Sequence, residues 1–106
     1  MKPPEHLQPA TAAWWQHVVD EYQLEQHHVR LLTLAGEAWD RCAQARAELN
    51  AHGLTYTDRL GNPKPRPEIA VERDSRLHFA RLVRELDLDA TAPPESRPPG
   101  LRSNRG

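Results

Sequence analysis

Between Leu24 and Leu49 one line of residues, all but His28 apolar or small, recurs with an unbroken alternation of four and three positions: Leu24, His28, Leu31, Ala35, Ala38, Cys42, Ala45 and Leu49. That spacing keeps one seam of an α-helix turned toward a partner helix for about seven turns. The remaining segments must then pack along this spine. The middle of the seam is small (Ala35, Ala38, Cys42, Ala45), so a partner helix can approach closely or insert large side chains there. Leu32 and Trp39 form a neighbouring apolar strip. A helix that is sticky on two sides, in a chain of 106 residues, argues for self-association. The pattern predicts a helix from about Leu24 to Ala51, closed by Gly53, whose freedom at positive φ suits a C-cap.

Ahead of the spine, Thr11 is placed to cap a short aromatic helix in which Trp14/Trp15, Val18/Val19 and Tyr22 recur every four residues. Two adjacent tryptophans are too much apolar area to leave in water. They predict packing on the long helix to make a helical hairpin, or an interface between copies. The expected interface residues are Trp14, Trp15, Leu31, Ala35, Ala38, Trp39, Cys42 and Ala45.

After the spine, Leu54-Thr55-Tyr56-Thr57 reads as a short hairpin strand or an extended loop, and Asp58-Arg59-Leu60-Gly61-Asn62 as a turn. Pro63, Pro65 and Pro67 force extended backbone and predict a stiff linker, with Pro67 in the first turn of a third helix over Glu68–Leu86. That helix has an apolar stripe (Ile69, Leu77, Ala80, Val83, Leu86) and opposite charges at i and i+4, Glu72 with Arg76 and Arg81 with Glu85. Arg73, Arg76 and Arg84 fall close in angle, with Arg81 at the flank, and Lys64 and Arg66 extend the basic stripe into the linker. Such a stripe is either a solvated, salt-bridged face or a phosphate-contacting one. The expected organisation is a flexible N-terminus (1–10), a helical oligomerisation domain that carries the basic stripe (11–88) and a disordered basic Pro-rich tail (89–106) with Arg97, Arg102 and Arg105.

Only 38% of residues are hydrophobic, so a core built from one copy is thin. No run of about 18 apolar residues is present to cross a membrane, and the N-terminus lacks a signal-like apolar stretch; an intracellular location is the expectation. Charge is uneven: residues 1–50 sum to −3 and residues 51–106 to +2, with only basic charges after Glu95. Chemistry is sparse. The single Cys42 excludes an intrachain disulfide and reads as a small buried residue. The adjacent His27 and His28 point about 100° apart on a helix, and no other pair has ligand spacing, so no metal site is expected. Glu37 and Asp40 share a face without a second carboxylate–histidine motif. There is no Gly-rich phosphate loop and no nucleophile context for Ser75, Ser96 or Ser103. An enzyme is not expected, and no cofactor.

The order of these segments resembles the small-subunit family of tailed-bacteriophage terminases. The likeness runs over about residues 10–106. It is carried by Trp14-Trp15, the turn near Leu24-Glu25, the Ala-rich helix with Trp39 that ends in Ala47-Glu48-Leu49 and Gly53-Leu54, and Thr55-Tyr56. It continues through the Gly61 turn, Arg66-Pro67, Leu82-Val83-Arg84-Glu85-Leu86-Asp87-Leu88, and the ending Arg97-Pro98-Pro99-Gly100-Leu101 with Asn104-Arg105-Gly106. The family commonly starts its long helix with a Thr-Glu-x-Asp-like sequence, where this chain has Leu24-Glu25-Gln26-His27-His28. Many members also carry a separate helix-turn-helix domain, for which there is no room here.

The resemblance implies an all-α, ring-forming homo-oligomer that acts as a non-catalytic component of a viral packaging motor in the host cytoplasm. It would bind viral duplex DNA and deliver it to a large subunit holding the ATPase and nuclease. DNA contact would fall to Lys64, Arg66, Arg73, Arg76, Arg81 and Arg84, and the tail arginines Arg97, Arg102 and Arg105 would dock the large subunit. Two other readings fit the residues: a helical protein-interaction adaptor without DNA affinity, and a small dimeric transcriptional regulator with its third helix in the major groove.

Overall fold

A computed structural model describes residues 1–88 as α1 (Pro9–Glu21), α2 (Gln26–His52), strands β1 (Thr55–Thr57) and β2 (Pro63–Pro65), and α3 (Glu68–Leu86). The molecule is mostly helical, as the pattern predicts, with one small two-stranded sheet in addition. α2 is closed by Gly53 at φ 87°, whose amide donates to the Leu49 carbonyl at 2.8 Å. Its start is set by Glu25, whose backbone N–H donates to His28 Nδ1 at 3.1 Å. The His28 ring thus does the work that a Glu or Gln performs three residues into a conventional capping box.

Both neighbours run antiparallel to α2. Along α1, Thr11 meets Asp40 and Trp15 meets Thr33; along α3, Glu72 meets Arg46 and Phe79 meets Trp39. The seam of α2 is turned inward over its whole length: Ala35, Cys42 and Ala45 are buried, and Leu24, His28, Leu31, Ala38 and Leu49 half-buried. α3 of the same chain lies along it, because small side chains let two helix backbones approach closely. The apolar core sits at one end, where Leu7, Trp15, Val18, Leu32 and Leu86 cluster with Leu24, Val29, Leu31 and Leu88 around them. Toward the other end α2 and α3 continue without α1.

The start of α1 differs from expectation. Gln8 occupies the cap position and Pro9 the first turn, where a missing N–H costs nothing. Thr11 is buried instead, and its hydroxyl donates to Asp40 Oδ1 at 2.6 Å. Asp40 Oδ2 accepts from the Gln8 backbone at 2.9 Å, His6 Nε2 lies 2.8 Å from Glu37 Oε2, and Leu7 is buried. Residues 6–8, for which the sequence predicts no fixed place, are therefore fastened to α2 by the two carboxylates that read as surface decoration. Gly36 gives Leu7 its seat: a Cβ there would meet Thr11 Cγ2 at 3.2 Å and Leu7 Cδ1 at 3.3 Å.

The Pro-rich linker is the second strand of a β-ribbon. β1 and β2 pair antiparallel with Thr55 opposite Pro65, Tyr56 opposite Lys64 and Thr57 opposite Pro63. The Arg66 amide donates to the Leu54 carbonyl and the Asp58 amide to that of Asn62, both at 2.9 Å. Hydrogen-bonded pairs alternate in such a ladder, so Tyr56 and Lys64 form the bonded pair between them. Pro63 and Pro65 then fall where a strand nitrogen points outward and needs no partner. The turn is fastened by Asp58, whose Oδ1 accepts the Leu60 and Asn62 amides at 2.9 and 2.8 Å and whose carbonyl accepts the Gly61 amide at 3.0 Å. Gly61 sits at φ 83°, the left-handed position that closes a three-residue hairpin loop.

Candidate nucleic-acid interface

α3 presents its basic residues outward because of where its inward line falls. The side toward α2 is Glu68, Glu72, Ser75, Phe79, Leu82 and Leu86, all buried or half-buried. At 100° per residue this line places Leu77 on the opposite side, and Leu77 is 52% exposed; Ala80 is exposed as well. The predicted stripe through Leu77 and Ala80 is thus rotated away from the observed one. Ser75 and Glu72, which look like surface residues in the sequence, face α2, where the small seam leaves room for them and Glu72 meets Arg46 and Cys42.

Arg73, Arg81 and Arg84 share the outward side with Leu77, and Arg76 lies at its flank; all four are exposed. From Arg73 to Arg84 the stripe covers about 16 Å of helix. Arg73 Nε contacts the neighbouring Asp74 at 3.2 Å, and Arg76 Nε lies 3.5 Å from Glu72 Oε2 as the i, i+4 spacing predicts. Arg81 and Arg84 have no carboxylate partner among the described residues, so the predicted Arg81–Glu85 contact is not formed. Lys64 is exposed on β2, while Arg66 is half-buried with its Nε shielded from solvent and unpaired. The tail residues Arg97, Arg102 and Arg105 lie outside the described residues.

Glu72 joins this face to the body. Its Oε2 accepts Arg46 Nη2 of α2 at 2.8 Å and the Cys42 thiol at 3.6 Å, besides lying near Arg76. The Arg46 hydrogen bond, against a smaller opposing effect of burial, holds the Glu72 carboxyl below the usual carboxylate range. Burial, followed by the Glu72 hydrogen bond and charge, pushes the Cys42 thiol up, so Cys42 stays protonated and is a poor nucleophile or metal ligand. The sign for stability follows. A depressed folded-state pKa stabilises the fold above the unfolded pKa, and that contribution is lost as pH falls through the folded value. Glu72→Gln is therefore expected to lower stability at neutral pH and to flatten the loss on acidification, read as urea midpoints at several pH values. A parallel offset across the whole range would show that Glu72 contributes no charge-dependent stability.

Two features escape a linear reading. Phe79 touches Trp14 and Trp39 with ring centroids 5.8 and 5.0 Å away, joining all three helices in one aromatic strip beside Ala10 and Thr11. Its signal was the line Glu72, Ser75, Phe79, Leu82, hidden by polar residues at two of the four positions. Arg41 of α2 lines a groove with Leu34, Glu37, His78 and Arg81, a juxtaposition that exists only once α2 and α3 are antiparallel. Of the residues expected between copies, Trp15, Ala35, Cys42 and Ala45 are buried within the protomer, and Leu31 and Ala38 half-buried in the seam that α3 covers. Trp39 remains 52% exposed and Trp14 half-buried.

Among the described residues no three potential ligands come together as a metal site, and no helix is long and apolar enough to cross a membrane. In comparisons with known proteins, a family model described as phage terminase, small subunit, matches residues 11–98. No curated protein and no solved structure matches the chain.

Proposed function

The chain belongs to the phage terminase small-subunit family, and on that premise we propose that it is the non-catalytic component that binds viral duplex DNA and hands it to the large subunit for packaging. The family places it in phage packaging. The observation that supports DNA contact is the outward side of α3, where Arg73, Arg81 and Arg84 share one exposed face with Arg76 at its flank. Lys64 and Arg66 continue the positive charge into the ribbon. Charges arranged along one side of a helix fit phosphates spaced along a duplex, and such contacts position a protein without reading sequence.

Self-association into a ring falls to the aromatic strip. With most of the seam used inside the protomer, Trp39 and Trp14 are the expected anchors, since exposed tryptophan carries large apolar area at low entropic cost. The tail with Arg97, Arg102 and Arg105 is assigned to the large subunit, which supplies ATP hydrolysis and cutting. The protein works in the host cytoplasm.

Light scattering with and without duplex DNA, at low and moderate salt, tests this reading. A large closed oligomer that gains DNA mass, less so as salt rises, is expected. A monomer or dimer indifferent to DNA would transfer the aromatic strip to an adaptor role.

A further inference from the structure

The ribbon contributes nothing to the core. Every residue of β1 and β2 is exposed, so neither face of the sheet is covered by the body. A free two-stranded hairpin is marginal in water, yet this one is braced beyond what a connection between two antiparallel helices needs. Asp58 accepts three backbone amides in the turn, Gly61 takes its left-handed conformation, and two prolines stiffen the return strand. At the tip of this braced turn stands Leu60, 85% exposed. A polar residue would serve the turn equally, since the bonds holding it are made by the Leu60 backbone.

The chemistry around the tip is one-sided. Arg59 precedes Leu60 and is exposed; behind it Lys64 pairs with Tyr56, itself 43% exposed, and Arg66 follows. The only acidic residue of the segment, Asp58, has its carboxylate occupied by backbone amides. From Leu54 to the paired Asp58 the ribbon rises four residues, about 13 Å, with Leu60 beyond it in the turn, more than the roughly 7.5 Å depth of a minor groove. An apolar tip on a rigid support, flanked by cations, is the arrangement that unstacks a base step.

We propose that the β1–β2 ribbon is a DNA-inserting arm: Arg59 and Lys64 contact phosphates on either side of the minor groove, and Leu60 wedges between base pairs and kinks the duplex. This rests on the DNA-binding reading above and adds to it a deformation of the DNA that α3 alone does not produce.

The test uses the full chain and a duplex of about 30 base pairs labelled at both ends for energy transfer, with 2-aminopurine inside it to report unstacking. Wild-type protein is expected to shorten the end-to-end distance and raise 2-aminopurine emission. Leu60→Ser should abolish both, while affinity falls by less than about tenfold because the phosphate contacts remain. Leu54→Ser, an equally simple loss of an exposed leucine at the base of the ribbon, should change neither signal. Bending by Leu60→Ser equal to wild type, or wild-type protein bound to a straight duplex, would overturn the arm and leave the DNA-binding reading standing. Wild-type protein that binds no duplex at all would remove both.

Discussion

Replacing Trp15 by alanine is expected to cost about 3–5 kcal/mol, roughly a fifth or more of what holds a domain of this size together. Trp15 is 2% exposed and is the largest member of the cluster with Leu7, Val18, Leu32 and Leu86, which brings together the N-terminal segment, α1, α2 and the last turn of α3. Its truncation leaves a cavity at the point where three helices meet. It also deprives the Thr33 hydroxyl of the indole Nε1 proton, donated at 3.1 Å. Urea unfolding followed by far-UV circular dichroism measures the effect, and Trp15→Phe should recover most of it by restoring the apolar volume. A loss below about 1 kcal/mol for Trp15→Ala would place the core elsewhere.

The second large effect concerns DNA. Replacing Arg73, Arg81 and Arg84 together by alanine is expected to lower the slope of log affinity against log salt by about 2.7, at roughly 0.9 for each phosphate that is no longer neutralised. These three are chosen because each is exposed and makes no hydrogen bond or ion pair to α2, so their removal leaves the helix packing intact. Arg76 is left in place because it contacts Glu72, and Glu72 also holds Arg46 and the Cys42 thiol. Fluorescence anisotropy across a salt series reads the slope. An unchanged slope would remove the outer face of α3 from the interface and leave the ribbon and the tail as the cationic elements.

The helices were legible because periodicity and caps are local. The seam from Leu24 to Leu49 and the Gly53 stop mark α2 within two residues, and α3 begins at Glu68 and ends at Leu86 as its pattern predicts. What the chain concealed was which side of each helix meets which neighbour. Leu77 looks like core and Ser75 like surface, yet their exposures are reversed, because the small residues of α2 select the face of α3 that fits them. The seam is partnered by α3 of the same chain, a fact that heptad spacing cannot distinguish from pairing between copies. Pro63 and Pro65 read as a stiff extended linker, and only the register against Thr55–Thr57 shows that they occupy positions where a strand tolerates them. The basic residues were all identifiable, but the division between Arg76, tied to Glu72, and Arg81 and Arg84, which are unpaired among the described residues, depends on contacts.

The prolines of β2 bear on the assembly proposed above. A strand edge recruits another strand by offering alternating N–H and C=O groups, and the outer edge of β2 lacks the amide hydrogens at Pro63 and Pro65. Continuous sheet growth requires every added unit to present two open edges. This ribbon has one, on β1, so edge-to-edge joining stops at a pair of ribbons and cannot propagate into a fibre, however closely an assembly crowds its arms together.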